Sequence, residues 1–193
     1  MMWLFVVISA AGLNAQQDAH EAGVQQKFVS GGTIRLHLEA GGYTVSPSDS
    51  ENIVVTYHTS SAEQLSRVKV EIKVGSASAD VYVHDTPHNK FKATIEVPRR
   101  SNLWARLTAG ELDVEDVEGD KDVELWAGQI DLEVPRRELY GHCDASVLAG
   151  SLDASAFNVS KGGLFRSFNE TGPGKYRLHA HVTTGEIDLR GTE

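Results

Sequence analysis

The chain has 193 residues, enough for one domain with a buried core. Its 27 acidic and 18 basic residues give a net charge of -9, which argues against a surface that neutralises nucleic-acid phosphates. Glycine is frequent at 18 and proline rare at 5, and short runs of Val, Ile, Leu and Thr alternate apolar with polar residues. No segment has sustained helical periodicity, so the composition predicts an all-β protein.

The N-terminus resembles a secretory signal. Residues 1–13 are apolar almost throughout, too short to span a bilayer but long enough for the apolar part of a signal, although no basic residue precedes Lys27. We therefore predict an atypical signal peptide over residues 1–15, with cleavage after Gly12 or Ala15, and a polar linker over residues 16–26. A buried first helix is the alternative. The signal predicts export to the periplasm, cell surface or extracellular space, with no membrane span after cleavage.

Residues 27–97 contain six or seven short stretches in which apolar and polar residues alternate. They are separated by glycine pairs and by loops rich in Ser, Pro and Asp, at spacings of about 8 to 15 residues, as in sandwiches and barrels. We expect them to broaden or cap the N-terminal edge of the repeats that follow. The predicted strands centre on Leu36, Tyr43, Val55, Val70, Val81 and Ile95.

A sequence repeat dominates the second half of the chain. Four copies share an apolar residue three before a glycine, a small residue just before it, and Leu or Ile followed by Asp after it. Because period-two alternation flanks each glycine, the glycine is predicted to be a corner where the strand bends or takes positive φ. The predicted corners are Gly110, Gly128, Gly150 and Gly185.

The spacing of the corners predicts a β-solenoid or β-roll over residues 27–193. Gaps of 18 and 22 residues suit one turn of a solenoid each, and the last gap of 35 suits two turns, one without the motif. A second repeat, Glu-Val-Pro-Arg-Arg at 96–100 and 133–137, agrees with this period. Stacked coils would bury a shared core. The predicted core ladder is Leu112, Ile130, Leu152 and Ile187.

Several of these motifs resemble the bacterial putative-adhesin family, a domain of unknown function in envelope proteins. They are Phe-Val-Ser-Gly-Gly-Thr-Ile-Arg-Leu at 28–36, Ile-Glu-Val-Pro at 95–98, Leu-Thr-Ala-Gly-Glu-Leu-Asp-Val at 107–114 and Val-Glu-Gly-Asp at 117–120. The resemblance covers roughly residues 27–193 and implies a β-solenoid-like fold, export and no established enzymatic activity. The segment from 154 to 174 departs from the pattern.

An outward aspartate follows each corner, and in stacked coils these side chains would lie about 4.8 Å apart. Like charges in a ladder repel, so two interpretations stay open. In the interpretation that we favour, the row is hydrated and nearby Lys and Arg offset its negative charge. In the other, its oxygen atoms hold a hard cation such as Ca²⁺. No aspartate-rich calcium loop is present to support the second. The row is Asp113, Asp131, Asp153 and Asp188.

Other residues are weaker candidates. The single cysteine, Cys143, falls on an inward face and is interpreted as a small core residue. His179 and His181 share an outward face, and His84 and His88 flank a proline, but each pair lacks further ligands and is interpreted as surface histidine. Trp104 and Trp126 are expected outside at equivalent positions, able to stack on each other or on a sugar ring. Packing under the segment from 154 to 174 would explain them equally well.

No catalytic or cofactor motif is found, so the sequence predicts no enzyme and no cofactor. The leading hypothesis is an exported, adhesin-like structural or binding module of the cell envelope, with an envelope protein or a glycan as partner. Two alternatives stay open. One is a polysaccharide-acting β-helix enzyme, which would need converging carboxylates where the sequence shows rows. The other is an envelope-stress sensor that binds a protein partner.

Overall fold

The computed structural model describes residues 20–87 and 89–191, most of which lie in strands. The predicted signal peptide (1–15) and the first part of the predicted linker lie outside them. The all-β prediction is confirmed, because twelve strands form one open sheet. The strands are β1 (His20–Lys27), β2 (Thr33–Leu38), β3 (Gly41–Ser48), β4 (Asn52–Thr59), β5 (Lys69–Val74), β6 (Ser78–His84), β7 (Lys92–Pro98), β8 (Asn102–Val114), β9 (Lys121–Glu133), β10 (Tyr140–Ala154), β11 (Val159–Thr171) and β12 (Tyr176–Arg190).

The helical residues among those described are few. Helix α1 (Ala62–Arg67) occupies a stretch that the sequence analysis treated as loop, and single 3₁₀ turns lie at Arg137–Leu139 and Ser155–Phe157. Helix α1 buries none of its residues, but the Ser61 side chain accepts a hydrogen bond from the Gln64 backbone N–H. A local cap rather than an apolar stripe therefore defines this helix, which is why periodicity did not indicate it.

Four long strands form a parallel stack in the spatial order β8, β9, β12, β10. The register sets Gly110 beside Gly128, Gly128 beside Gly185, and Gly185 beside Gly150. All four glycines have positive φ, between 123° and 142°. Across the glycine of β8 the inward positions change from odd-numbered residues, such as Leu107, to even-numbered ones, such as Leu112. The chain thus turns a corner there, and every strand of the stack has two arms.

The corners require glycine because neighbouring backbones meet there. A β-carbon on Gly128 would lie 1.8 Å from the carbonyl oxygen of Gly110, and one on Gly185 would lie 1.8 Å from that of Gly128. A β-carbon on Gly150 would lie 1.7 Å from the carbonyl oxygen of Gly185. No side chain fits at such distances, and positive φ disfavours it further. The repeat therefore keeps a glycine at this point for steric reasons.

The strand order differs from the order along the chain. From the sequence, Gly150 is expected directly after Gly128, with a coil that lacks the motif before Gly185. Instead, β11 runs antiparallel along the outer edge of β10, and β12 then enters between β9 and β10. The 35-residue gap therefore contains a returning hairpin strand rather than a parallel coil. The four ladder residues are neighbours in the order Leu112, Ile130, Ile187, Leu152, and all are fully buried.

The N-terminal half continues the stack with broken strands. Strand β2 pairs in parallel with the first arm of β8, and β3 pairs with its second arm, which brings Gly41 beside Gly110. Strands β6 and β7 repeat this arrangement one level further out. From the sequence alone, the glycine pair at 41 and 42 predicts a simple turn. We call the aligned glycines Gly110, Gly128, Gly185 and Gly150 the glycine column, and Gly41 is its fifth member.

Antiparallel strands flank both ends of the stack. At one end β5 pairs with β6, β4 with β7, and β1 with β4. At the other end β11 pairs with β10. Strand β1 includes residues 20–26, which the sequence analysis assigned to a linker. Short, partly polar segments that looked like a linker can form an edge strand because only one of their sides needs a partner.

The space inside the bend contains one apolar core to which both arms contribute. Ile34 and Val45 of the N-terminal half are fully buried in it, as are Ile130 and Leu189 of the repeats. Cys143 is 3% exposed, and burial raises the pKa of its thiol to about 12. The burial agrees with the predicted inward position of Cys143. Because its pKa is raised, the thiol stays protonated at neutral pH.

Candidate functional site

The outer surface of the parallel stack is the candidate functional site. We call residues 102–109, 121–127, 140–149 and 176–184 its first arm, and residues 111–114, 129–133, 151–154 and 186–190 its second arm. Since inward positions fill the core, every second residue on each arm faces solvent. Side chains from different strands therefore form rows across the stack, with neighbours about 4.8 Å apart.

The aspartate row lies on the second arm. The register makes Asp113 a neighbour of Asp131, Asp131 of Asp188, and Asp188 of Asp153. Arg190 joins two of them, with Nε 2.5 Å from Asp131 Oδ1 and Nη2 3.3 Å from Asp113 Oδ1. The charge of this half of the row is therefore offset by a guanidinium. Whether the row binds a cation stays a prediction.

Burial changes the acidity of this row. Desolvation raises the pKa of Asp131 to about 6, against the opposing effect of Arg190. The pKa of Asp188 is raised as well, first by desolvation and then by the charge of Asp153. The guanidinium therefore does not offset the desolvation of these carboxylates, to which their mutual repulsion adds. The carboxylates form a line along the surface rather than the converging pair that glycoside hydrolysis uses.

A second row of outward side chains runs along the corner, at the end of the first arm. The position two residues before each corner glycine faces outward and is filled by Thr108, Trp126, Thr183 or Leu148, and the register of β11 places Phe165 beside Leu148. Trp126 is 69% exposed, Leu148 41% and Phe165 77%. Large apolar side chains this exposed in one line are uncommon on a protein surface and are typical of binding sites. We call residues 108, 126, 148, 165 and 183 the corner ridge.

A trough runs beside the corner ridge. Its floor is the glycine column, which has no side chains, and its far wall consists of polar side chains on the second arm. The trough encloses about 530 Å³. It thus offers hydrogen-bonding oxygens and amides beside an uncovered backbone. The polar wall comprises Glu111, Gln129, Ser151 and Glu186.

A groove opens on the other side of Trp126. It encloses about 560 Å³ and is lined by Trp126 together with Arg106, Glu124 and His84. A hydrogen-bonding wall next to an exposed indole is a usual arrangement for a polar ligand with an apolar face. Trp126 therefore forms part of the wall of this groove.

Trp104 does not lie at a position equivalent to Trp126, so that interpretation was wrong. Trp104 lies six residues before its corner glycine and is paired with Asp122, whereas Trp126 lies two residues before its own glycine. The Arg106 guanidinium packs on the Trp104 ring at 4.0 Å from the centroid, and the His37 ring lies 5.2 Å away. Alternation predicts an outward side chain at any even distance before the corner glycine. It therefore predicted that both rings face outward, but it did not show that they lie in different rows.

His179 and His181 both lie on the outer face of the first arm, with partners on neighbouring strands. His84 lies 3.6 Å from Glu39, and His88 lies outside the described residues.

Leu148 and Phe165 were not identified from the sequence. Leu148 was detectable, because aligning the four repeats puts it at the outward position two before the glycine. Phe165 was not, because its place depends on the antiparallel pairing of β11.

The fold, an open all-β sheet built on a parallel stack, occurs in the solved structure of a putative cell adhesion protein from Clostridium sporogenes. The two chains are 10% identical, and the match covers 89% of this chain and 100% of the other at a TM-score of 0.57. A putative adhesin from Bacteroides fragilis, 9% identical, also matches over 88% of this chain and 97% of the other, but its TM-score of 0.34 does not show a shared fold. No family model and no curated protein matches the sequence. The resemblance to the putative-adhesin family is confirmed at the level of the fold.

The described helices are too short to cross a membrane, since α1 has six residues and a bilayer-spanning helix needs about 20.

Proposed function

We propose that this protein is an exported, non-enzymatic, adhesin-like binding module of the cell envelope that binds an extended glycan along its corner ridge. The observation that supports it best is the line of exposed Trp126, Leu148 and Phe165 beside a trough with a polar wall. A sugar ring has an apolar face that packs on an indole and hydroxyl groups that bond to carboxylates and amides. A chain of such rings would find repeated partners along the stack.

The stack itself supports an extended ligand rather than a compact one. We propose that its levels are coils of a short β-solenoid, each with one residue in the ridge and one in the polar wall. Because the four long strands are in register from Gly110 to Gly150, a ridge position and a polar-wall position recur at each of them. Export is part of the proposal and is supported by the apolar residues 1–13. Mass spectrometry of protein secreted by a bacterial host should show a mature N-terminus at Leu13 or Gln16.

The test is glycan binding by two tryptophan variants. A glycan array identifies the ligand, and titration calorimetry then compares wild type with Trp126→Ala and Trp104→Ala. We expect Trp126→Ala to weaken binding by about tenfold, because it removes one stacking contact. Trp104→Ala is the matched control, because Trp104 packs against Arg106 away from the trough, and it should bind within a factor of about two.

Two results would contradict the proposal. Equal weakening by both variants, or no glycan bound at all, would exclude the ridge as a glycan site. Release of reducing ends from the bound glycan, abolished by Asp131→Asn, would instead support the polysaccharide-acting enzyme. Retention of an envelope protein in a pull-down, lost in Trp126→Ala while no glycan binds, would support the sensor alternative.

A further inference from the structure

Four side chains on the first arm form a cluster that neither the aspartate row nor the corner ridge includes. Asp122 and Glu124 of β9 lie directly opposite His179 and His181 of β12, and all four face outward. Single ligand atoms of Asp122, Glu124 and His179 lie within 4.8 Å of one another. We call these four residues the histidine–carboxylate grid. Two adjacent parallel strands supply it through positions i and i+2, so the backbone of both strands fixes its shape.

The two imidazoles are oriented from the far side. His179 Nδ1 is 2.5 Å from Asp144 Oδ2, and His181 Nδ1 is 2.9 Å from Ser146 Oγ. Asp144 and Ser146 belong to β10, which borders β12 on the side away from β9. A ring tethered to β10 through Nδ1 turns Nε2 away from that strand, toward the carboxylates. A carboxylate that holds the second nitrogen of a histidine is the usual support of a metal ligand, because it fixes the tautomer and ring orientation.

We propose that the histidine–carboxylate grid binds one divalent transition-metal ion of the Zn²⁺ type. Two imidazole nitrogens and two carboxylate oxygens are a donor set that suits tetrahedral Zn²⁺. Ca²⁺ and Mg²⁺ prefer sites made wholly of oxygen, so they fit this grid poorly. Asp122, Glu124 and His179, whose ligand atoms lie within 4.8 Å of one another, are three of the ligands. His181, opposite Glu124 on β12, lies outside this group and becomes the fourth ligand once its side chain turns toward the ion, and Asp144 positions His179.

Arg106 is the competitor for this ion. Its Nη2 lies 2.9 Å from Asp122 Oδ1 and 3.0 Å from Glu124 Oε1, and its guanidinium rests on the Trp104 ring. Both carboxylates are therefore already paired with a cation. A metal ion has to displace this guanidinium, which then swings toward solvent over the indole. It follows that Arg106 weakens metal binding while it stabilises the metal-free surface.

Titration calorimetry with Zn²⁺ on untagged, chelator-treated protein tests the site. We expect one ion per chain in wild type and at least about a tenfold loss of affinity in Asp122→Asn and in His179→Gln. Asp144→Asn should also weaken binding, by about tenfold, as expected for a positioning residue. His58→Gln is the matched control, because His58 is exposed on β4, which pairs only with β1 and β7, and its affinity should equal that of wild type.

The sign of a further effect separates this site from adventitious binding. Arg106→Gln removes the competing cation and should tighten Zn²⁺ binding about threefold to fivefold. Titration with Co²⁺ should give visible absorption bands of a histidine-bound ion in wild type and none in His179→Gln. Circular dichroism confirms that each variant is folded. Unchanged affinity in His179→Gln, no binding in wild type, or weaker binding in Arg106→Gln would overturn the proposal. None of these readouts depends on a glycan.

Discussion

The middle of the stack and the edge formed by β11 contain the same kinds of residue in different surroundings. Strand β9 is paired on both sides, with β8 and β12, and buries alternate residues from Lys121 to Leu132. Strand β11 pairs only with β10, and most of its side chains are exposed. Leu164 of β11 is 62% exposed, whereas Ile130 of β9 is fully buried.

This difference teaches that the number of neighbouring strands, more than residue type, sets what a position contributes. A glycine, an aspartate or a lysine in β9 meets fixed backbone or buried charge on both sides. The same residue at the edge meets solvent or a flexible side chain. Matched substitutions in the two regions should therefore differ in size, and in some cases only the middle should respond.

The largest difference is expected for glycine. In Gly128→Ala the new β-carbon would lie 1.8 Å from the Gly110 carbonyl oxygen, at a φ of 134° that alanine avoids. Strands β8 and β9 would have to separate at the corner, so we expect a loss of about 3 to 5 kcal/mol in the free energy of unfolding. Urea unfolding followed by circular dichroism measures it.

Gly162→Ala at the edge is the control. A β-carbon on Gly162 has no atom within 4 Å, so its unfolding free energy should change by less than about 0.5 kcal/mol. Equal losses in the two variants would show that the glycine column is not the element that holds the strands together.

The corner and the core were predictable from sequence because they follow local rules. A glycine between alternating stretches indicates a bend, and the residues around Leu112 and Ile130 alternate as a half-buried strand should. Gly41 was missed although Leu38, Ala40 and Tyr43 match the repeat, because Thr44 replaces the aspartate and a second glycine follows. A Gly-Gly pair predicts a turn more readily than a corner.

The strand order was beyond the sequence. The repeats around Gly128, Gly150 and Gly185 have nearly the same pattern, so any of them can sit beside any other in register. The structure places β12 between β9 and β10 because β11 first turns back along β10. The partners of the candidate sites depend on that order. His179 faces Asp122 and Asp144 only because β12 lies between their strands.

A smaller difference is expected for aspartate. Asp131 has an unfolded pKa near 3.8 and a folded pKa of about 6, raised by burial. The folded state therefore binds more protons between these values, so this group lowers the free energy of unfolding as pH rises from about 4 to 6. Between pH 4 and 6, the free energy of unfolding of Asp131→Asn should therefore decrease by about 1 to 2 kcal/mol less than that of the wild type.

Asp153→Asn, on the strand next to the edge, is the matched variant for this comparison. Urea unfolding at pH 4, 5 and 6 should show a smaller change for Asp153→Asn than for Asp131→Asn, because Asp153 acts on the pH dependence only through the raised pKa of Asp188. If the free energy of unfolding of Asp131→Asn decreased with pH as much as that of the wild type, the Asp131 carboxylate would not be the source of this pH dependence.

The smallest difference concerns lysine. Lys121 is 2% exposed in β9, where its ammonium donates hydrogen bonds to the Val117 carbonyl and the Tyr140 hydroxyl. Desolvation lowers its pKa from 10.5 to about 8. Above pH 8 the folded state loses this proton before the unfolded state does, so the group raises the free energy of unfolding as pH increases. Between pH 8 and 9 the contribution of Lys121 should rise by about 1 kcal/mol. Cys143, whose thiol pKa is raised by folding from 9.0, opposes part of this rise in the wild type and in the variants alike.

Lys121→Met should abolish this rise, even if the hydrogen bonds it removes lower the free energy of unfolding at every pH. Lys161→Met at the edge should keep it, because Lys161 is exposed and bonds only to a surface carbonyl, that of Ser167. Urea unfolding at pH 8.0, 8.5 and 9.0 compares the slopes of the three proteins. Since the slope depends on proton binding and not on packing, it isolates the buried ammonium from the cavity and the lost contacts that the substitution also creates. A slope that Lys121→Met retains would assign the titration to another group in the middle of the stack.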